Sequence, residues 1–300
     1  MANDMQVVAR KNGQMVITPE KSKAVKKKRK GTVTHTLQYL LLLLSIAIFF
    51  FPIYWMIATS LKSQNDAFTT KPKWFFDITF NNYFVLFEKD FLHYILNSLV
   101  IGITSTVLVL ILGCGIAYPF ARYRMAGAKN VLTWILTLRI VPPIVSILPI
   151  YLLFSKLNLL DSYISLVLMY TFMNLPLAVW LLYGFFQDIP GELEESALVD
   201  GCNRFTAFVR IILPIIGPGL VSAGILCFIF AWNEFLFANI LSGPNVRTAP
   251  VALNEYSTPV SVLWGQIAAA GTIIIIPVAI ITMAVQKHMV RGLTMGAVKG

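Results

Sequence analysis

Three carboxylates sit within four residues, Glu192, Glu194 and Glu195, and Asp200 follows them. Their neighbours are small or apolar, not histidines or cysteines that would make a reaction centre. Acidic groups in the first turns of a helix complement its dipole. Pro190 suits a first helical position, where no backbone donor is needed. Ala197 and Gly201 lie four apart and so share a helix face, on which their size lets another surface approach. Gly201 can end or bend the helix. Phe205 and Phe208 then present apolar surface, and Pro214 opens the next apolar run. The chemistry of this segment is docking. The bland alternative is a helix lying on lipid, but three close carboxylates disfavour an anionic surface.

Elsewhere the groups that could catalyse are scattered. His35, His93 and His288 stand near the ends of apolar runs, with no His/Asp/Glu cluster or activated nucleophile beside them. Cys114, Cys202 and Cys227 have no metal-ligand spacing and read as small packing residues. No Gly-x-x-x-x-Gly-Lys-Ser/Thr phosphate loop occurs. An enzyme is therefore disfavoured, with no catalytic residue and no metal site expected.

The elements that must position the acidic segment are membrane helices. Of 300 residues 57% are hydrophobic and 13% charged, well away from soluble composition. Runs at 37–59, 95–121, 130–155, 162–187, 211–245 and 256–286 carry at most one charge each, Arg139 in the third and Glu234 in the fifth. About 20 apolar residues cross a bilayer, and continuous runs favour helices over barrel strands. The expected fold class is all-α: a polytopic membrane protein of six transmembrane helices.

Six spans put both termini on one side. That side would carry 17 of the Lys and Arg residues against six on the other, so both termini and the Glu195 loop are expected to be cytoplasmic. Residues 1–34, with Lys26-Lys27-Lys28-Arg29-Lys30, are expected to be a basic, disordered tail facing anionic lipid rather than nucleic acid. The first apolar run is too long for a cleaved secretory signal. The aromatic-rich segment 60–94 suggests a folded external cap, and the segment near 242–258, with Gly243-Pro244 and Pro250, should be irregular. Prolines 119, 142, 143, 149, 176 and 277 should kink their spans.

The spacing Glu195, Ala197, Gly201, nine residues, then Ile211, Leu213 and Pro214 resembles the cytoplasmic loop motif of binding-protein-dependent ABC transporter permeases. Residues 35–300 look like a permease domain of the maltose-type, carbohydrate-importing subfamily, with a coupling loop at about 188–211. Arg139-Ile140-Val141-Pro142-Pro143, Phe230-Ala231-Trp232-Asn233-Glu234-Phe235 and Gly292-Leu293-Thr294-Met295-Gly296 add to the likeness. Ser196 departs from the usual alanine. The resemblance implies a helix between spans four and five that docks on a separate ATPase through Glu195, Ala197, Asp200, Gly201 and Arg204. It implies a second homologous permease, two ATPase subunits that hold ATP and Mg, and an extracytoplasmic solute-binding protein, in a prokaryotic plasma membrane. Cofactors in this chain itself are not expected.

Charges at membrane depth are costly and face a cavity or a partner, so Arg139 and Glu234 are candidates for the substrate path and could pair there. Asn174, Asn233 and Trp232 could meet sugar hydroxyls and apolar sugar faces. Interhelical hydrogen bonding is an equal alternative for Asn174. A polyol or other solute would fit the same machine. An ion-driven secondary transporter is the alternative from another class, and it leaves the Glu195 loop without a use.

Overall fold

The structure, a computed structural model, describes residues 10–11, 14–15, 32–69, 71–123, 127–257 and 262–294. It divides into a unit of residues 1–52 and a unit of residues 53–300. In the first unit, β1 (Arg10–Lys11) pairs antiparallel with β2 (Gln14–Met15). Of residues 1–34, expected to be disordered, these four are paired and 32–34 begin a helix, while the others lie outside the described residues. Helix α1 (Thr32–Ser60) begins here. From Leu37 to Phe51 its large apolar side chains are exposed on every side. A helix apolar all round belongs in lipid.

The second unit carries the rest of the fold. After α1 come α2 (Gln64–Ala67), α3 (Asn81–Glu88) and the long α4 (Phe91–Arg122). Then follow α5 (Ala128–Thr137), a 3₁₀ turn (Leu138–Ile140), α6 (Pro143–Lys156) and α7 (Tyr163–Gln187). The acidic segment forms α8 (Glu192–Val199) and α9 (Arg204–Ala207). It leads through a π turn (Phe208–Ile212) and α10 (Leu213–Ile215) into α11 (Gly217–Trp232). Helices α12 (Leu236–Leu241), α13 (Ala249–Ala252) and α14 (Trp264–Thr294) complete it.

Among the described residues, four helices are long and apolar enough to cross a membrane: α1, α4, α7 and α14. The third and fifth expected spans are not continuous. Asn130–Ile140 meets Pro143–Lys156 at 89°, and Arg204–Ile215 meets Gly217–Trp232 at 75°. The first bend follows from Pro142-Pro143: two successive residues lack an N–H, and Val141 is held extended (φ −63, ψ 122) by the proline after it. At the second, Pro214 removes a donor, and the Leu213 N–H reaches five residues back to the Phe208 carbonyl. The bend itself falls at Ile216, so the apolar helix starts at Gly217 and not at Pro214. It ends at Trp232, with a separate α12 after it, where a single run to residue 245 was expected. Counting each bent pair as one span restores six.

Helices α4 and α7 form the central pair, running in the same direction. The Tyr163 hydroxyl donates to Asn97 Oδ1 at one end, and Tyr118 packs on Phe186 at the other. Helix α11 returns antiparallel along α4. A Cβ on Gly102 would stand 3.1 Å from the Phe228 ring, and one on Gly224 would stand 3.1 Å from Leu110. Small residues allow such close approach, which drives helix association in lipid.

The segment 60–94 is folded, as its aromatics suggested. Lys62 is buried, with its ammonium 4.2 Å from the Trp55 ring centre and 4.9 Å from that of Phe76. Asn82 Nδ2 donates to the carbonyls of Ser60 and Lys62, each at 2.8 Å. The segment near 242–258 is more ordered than expected. It contains α13 and a 3₁₀ turn (Leu253–Tyr256), and side chains from α4 and from Asp161 bind its backbone.

Candidate functional site: the loop between α7 and α11

Helix α7 ends at Gln187, and Pro190 stands two residues before the first residue of α8. Gly191 is the N-cap. Its carbonyl accepts the N–H groups of Glu194 and Glu195 at 3.0 and 3.1 Å. All three glutamates occupy the first turn, where the helix dipole favours them. The helix ends in a Schellman arrangement. The Cys202 N–H donates to Ala197 O at 3.0 Å and the Gly201 N–H to Leu198 O at 3.1 Å. Gly201 takes the required left-handed conformation, φ +87. Asn203 then caps α9 by accepting the Thr206 N–H at 2.7 Å.

Helix α8 has two distinct faces. Glu194 and Ala197 are buried, while Glu195, Asp200, Gly201 and Arg204 are exposed. Val199 at the end of α8 is 87% exposed and Phe205 on α9 is 75% exposed, so this loop presents large apolar side chains as well as exposed charges. Ala197 does not share a face with Gly201. It points into the body of this chain, because the glycine turn ends the helix first. The small alanine therefore seats α8 on its own protein. Phe208 likewise packs inward, its ring 4.6 Å from that of Tyr118. Arg204 lies over the Tyr123 ring at 5.2 Å.

The seat contains an ion pair that sequence reasoning passed over. Glu194 Oε1 accepts the Tyr118 hydroxyl at 2.6 Å. Glu194 Oε2 lies 3.4 Å from Arg122 Nε, each side chain 11% exposed. Arg122 Nη1 donates to the Ile189 carbonyl at 2.9 Å. At 3.4 Å the Nε contact is coulombic, not a directed hydrogen bond, and Nη2 has no hydrogen-bond partner. Two neighbouring turns of α4 thus grip the entry and the first turn of the loop helix.

The five path candidates do not converge. Arg139 is exposed on the 3₁₀ turn between α5 and α6, with its guanidinium 4.7 Å from the centre of the Phe230 ring. It helps line a largely apolar cavity of about 430 Å³ with Ser146, Phe172, Met173 and Pro176. Glu234 is committed elsewhere. Its two oxygens accept the N–H groups of Phe237 and Ala238 at 2.9 and 3.0 Å, capping α12. The two charges form no ion pair. Trp232 is 1% exposed, stacks on Phe228 and donates Nε1–H to Ile274 O at 3.3 Å. It is a core residue. Asn174 is buried and donates to Cys227 O at 3.4 Å, the interhelical alternative. Asn233 is exposed and donates to Ile229 O of its own helix at 2.8 Å.

Residues 109–295 match the model of the binding-protein-dependent transport system inner membrane component family. The diacetylchitobiose uptake system permease protein of Streptomyces coelicolor is 37% identical over 253 residues, covering 83% of this chain and 92% of the relative. The sulfoquinovosyl glycerol transport system permease protein of Agrobacterium fabrum is 37% identical over 254 residues, 83% of this chain and 89% of the relative. The trehalose transport system permease protein of Mycobacterium tuberculosis is 36% identical over 255 residues, 83% and 92%. Among solved structures, a chain of a bacterial ABC transporter involved in the import of alginate superposes with a TM-score of 0.71. That match covers 86% of this chain and 97% of the other at 23% identity, and it establishes the fold.

Proposed function

The chain belongs to the family of inner membrane components of binding-protein-dependent transport systems, and from that premise we propose that it is a membrane-path subunit of an ATP-driven carbohydrate importer. As a permease it supplies passage rather than a reaction. The three relatives above are named for diacetylchitobiose, sulfoquinovosyl glycerol and trehalose, which supports a sugar or oligosaccharide cargo. ATP and Mg belong to a separate ATPase, two copies of which act with this chain, a second homologous permease and an extracytoplasmic solute-binding protein. Both termini and the α8 loop face the cytoplasm. The folded permease domain spans residues 35–300 behind a basic tail of residues 1–34.

The observation that carries this reading is the exposed side of the α8–α9 loop. An exposed Val199 and Phe205, flanked by Glu195 and Asp200, are held at a rigid glycine turn on a buried ion pair. Exposed apolar side chains beside charged ones suit a partner surface better than water. Glu195, Asp200, Gly201 and Arg204 take part in the contact, and Ala197 acts from beneath by seating the helix. The test is co-purification from native membranes followed by ATPase and vesicle uptake assays. The expected result is recovery of a second permease and an ATPase, with activity lost in Gly201→Asp. Recovery of this chain alone, with uptake driven by an ion gradient, would overturn it.

A further inference from the structure

We propose that Tyr118 and Arg122 are positioning residues for energy coupling, locking Glu194 so that α8 and α4 move as one body. The proposal rests on the reading of the α8 face as the ATPase contact. Glu194 makes the polar side-chain contacts that join α8 to α4, and it makes them in a buried setting. A carboxylate that leaves water needs both its charge and its lone pairs met. Arg122 supplies the charge, and Tyr118 supplies the short hydrogen bond. The Tyr118 ring is itself wedged between Phe186 of α7 and Phe208 of the π turn, at 5.4 and 4.6 Å. The phenol therefore cannot swing away without disturbing a packed aromatic cluster. Arg122 adds a second grip on the loop through the Ile189 carbonyl.

Helix α4 is tied at its other end as well. Asn97 Nδ2 donates to the carbonyls of Asn245 and Arg247 at 3.2 and 3.0 Å, and Ser98 Oγ accepts the Ala249 N–H at 2.8 Å. Between Ser98 and Tyr118 the helix is uninterrupted. At the helical rise that stretch is about 30 Å long. One helix thus holds the chain on both sides of the α11–α12 segment: the loop before it and the loop after it. A displacement of α8 is passed to residues 245–249 through α4, provided that the Glu194 joint is rigid. Loosen the joint, and α8 can follow the ATPase while α4 stays behind.

The test uses the full complex in vesicles, with ATP hydrolysis and solute uptake measured on the same preparation. Tyr118→Phe keeps the ring and removes only the hydroxyl. Its expected effect is a fall in uptake per ATP hydrolysed of about tenfold, the scale of one hydrogen bond to a charged group, with hydrolysis itself within about twofold. The paired exchange Arg122→Glu with Glu194→Arg restores a pair of opposite charges and should recover uptake relative to Glu194→Arg alone. Uptake and hydrolysis falling in proportion in Tyr118→Phe, with the complex intact, would show a purely structural pair and overturn the proposal. Val199→Cys in a Cys202→Ser chain that is otherwise unaltered reports separately on docking. Cross-linking to the ATPase supports the reading beneath the proposal, whereas no cross-link removes that reading and the proposal with it, whatever Tyr118→Phe does.

Discussion

The Asp161 carboxylate accepts the Gly243 N–H at 2.8 Å, and a Cβ on Gly243 would stand 2.6 Å from the same carboxylate. Its oxygens also take the N–H groups of Asn245 and Val246 and the Asn245 side-chain amide. One anion thus organises the turn after α12, itself sitting at φ 52. Asp161→Ala should release this turn. Hydrogen bonds to charged groups each contribute roughly 1.5–3 kcal/mol, and several are lost together. Amide hydrogen exchange at Gly243, Asn245 and Val246 should accelerate about tenfold or more, while Asp161→Asn, which tolerates the left-handed conformation, should accelerate it less. Unchanged exchange in Asp161→Ala would show that the turn is held by other contacts.

Within the chain itself, backbone conformation sets the cost of replacing Gly201. Its φ is +87 and nothing lies within 4 Å of an added Cβ. Asparagine should be tolerated best, alanine should cost about 1 kcal/mol, and a β-branched residue should cost more. Proline should be worst, since the Gly201 N–H donates to Leu198 O. In the proposed importer, coupled ATPase activity should fall in that order. Equal loss in asparagine and valine variants would show that the docking contact, and not the left-handed turn, sets the requirement for glycine.

Much of this was legible in the sequence, and the boundary has a physical cause. Composition depends on the solvent of each segment, so the four unbroken apolar helices read well, whereas the third and fifth runs proved to be bent pairs. Glu195, Asp200 and Gly201 emerge on the exposed loop where their spacing put them. The Pro142-Pro143 pair announced a kink but not an 89° break. What one dimension hides is which side of a short helix faces home. Glu194 and Glu195 are adjacent carboxylates with opposite fates, because Tyr118 and Arg122, on a helix far earlier in the chain, meet only one of them. The i, i+4 spacing of Tyr118 and Arg122 at the end of a span was the available signal. Trp232 and Asn174 find partners on neighbouring helices, since polar atoms within a span satisfy a neighbouring helix as readily as a substrate.

Lys62 makes a pH prediction of definite sign. Burial between Trp55 and Phe76 lowers its pKa, with Asp66 opposing more weakly. Asp66 is itself held low by its bond to Lys73. A lysine with a lowered folded-state pKa binds fewer protons folded than unfolded between that pKa and 10.5. Stability contributed by this site therefore rises as pH rises through that window, and it is lowest where Lys62 is fully charged. Lys62→Met should remove this dependence while keeping the packing of the stem. Thermal unfolding in detergent at several alkaline pH values checks it. A slope of opposite sign in the unaltered chain relative to Lys62→Met would mean that the charge is net stabilising, through cation–π attraction.

Arg139 and Trp232 were expected to share a task, and the structure predicts that their variants will part company. Trp232 is 1% exposed, its ring stacked on Phe228. Trp232→Ala therefore opens a cavity and should cost about 3–5 kcal/mol. The complex should then be scarce, and whatever assembles should transport with unaltered KM. Arg139 lies exposed at the break between α5 and α6, with Phe230 under its guanidinium and a cavity of about 430 Å³ beside it. Arg139→Ala forfeits a cation–π contact of about 0.5–1 kcal/mol, too little to impair assembly. If Arg139 meets the solute in passage, its removal must appear in uptake kinetics at normal complex abundance. Arg139→Lys, which keeps the charge but loses the planar fork, should recover part of the rate. Normal uptake in Arg139→Ala would place the solute path away from this cavity.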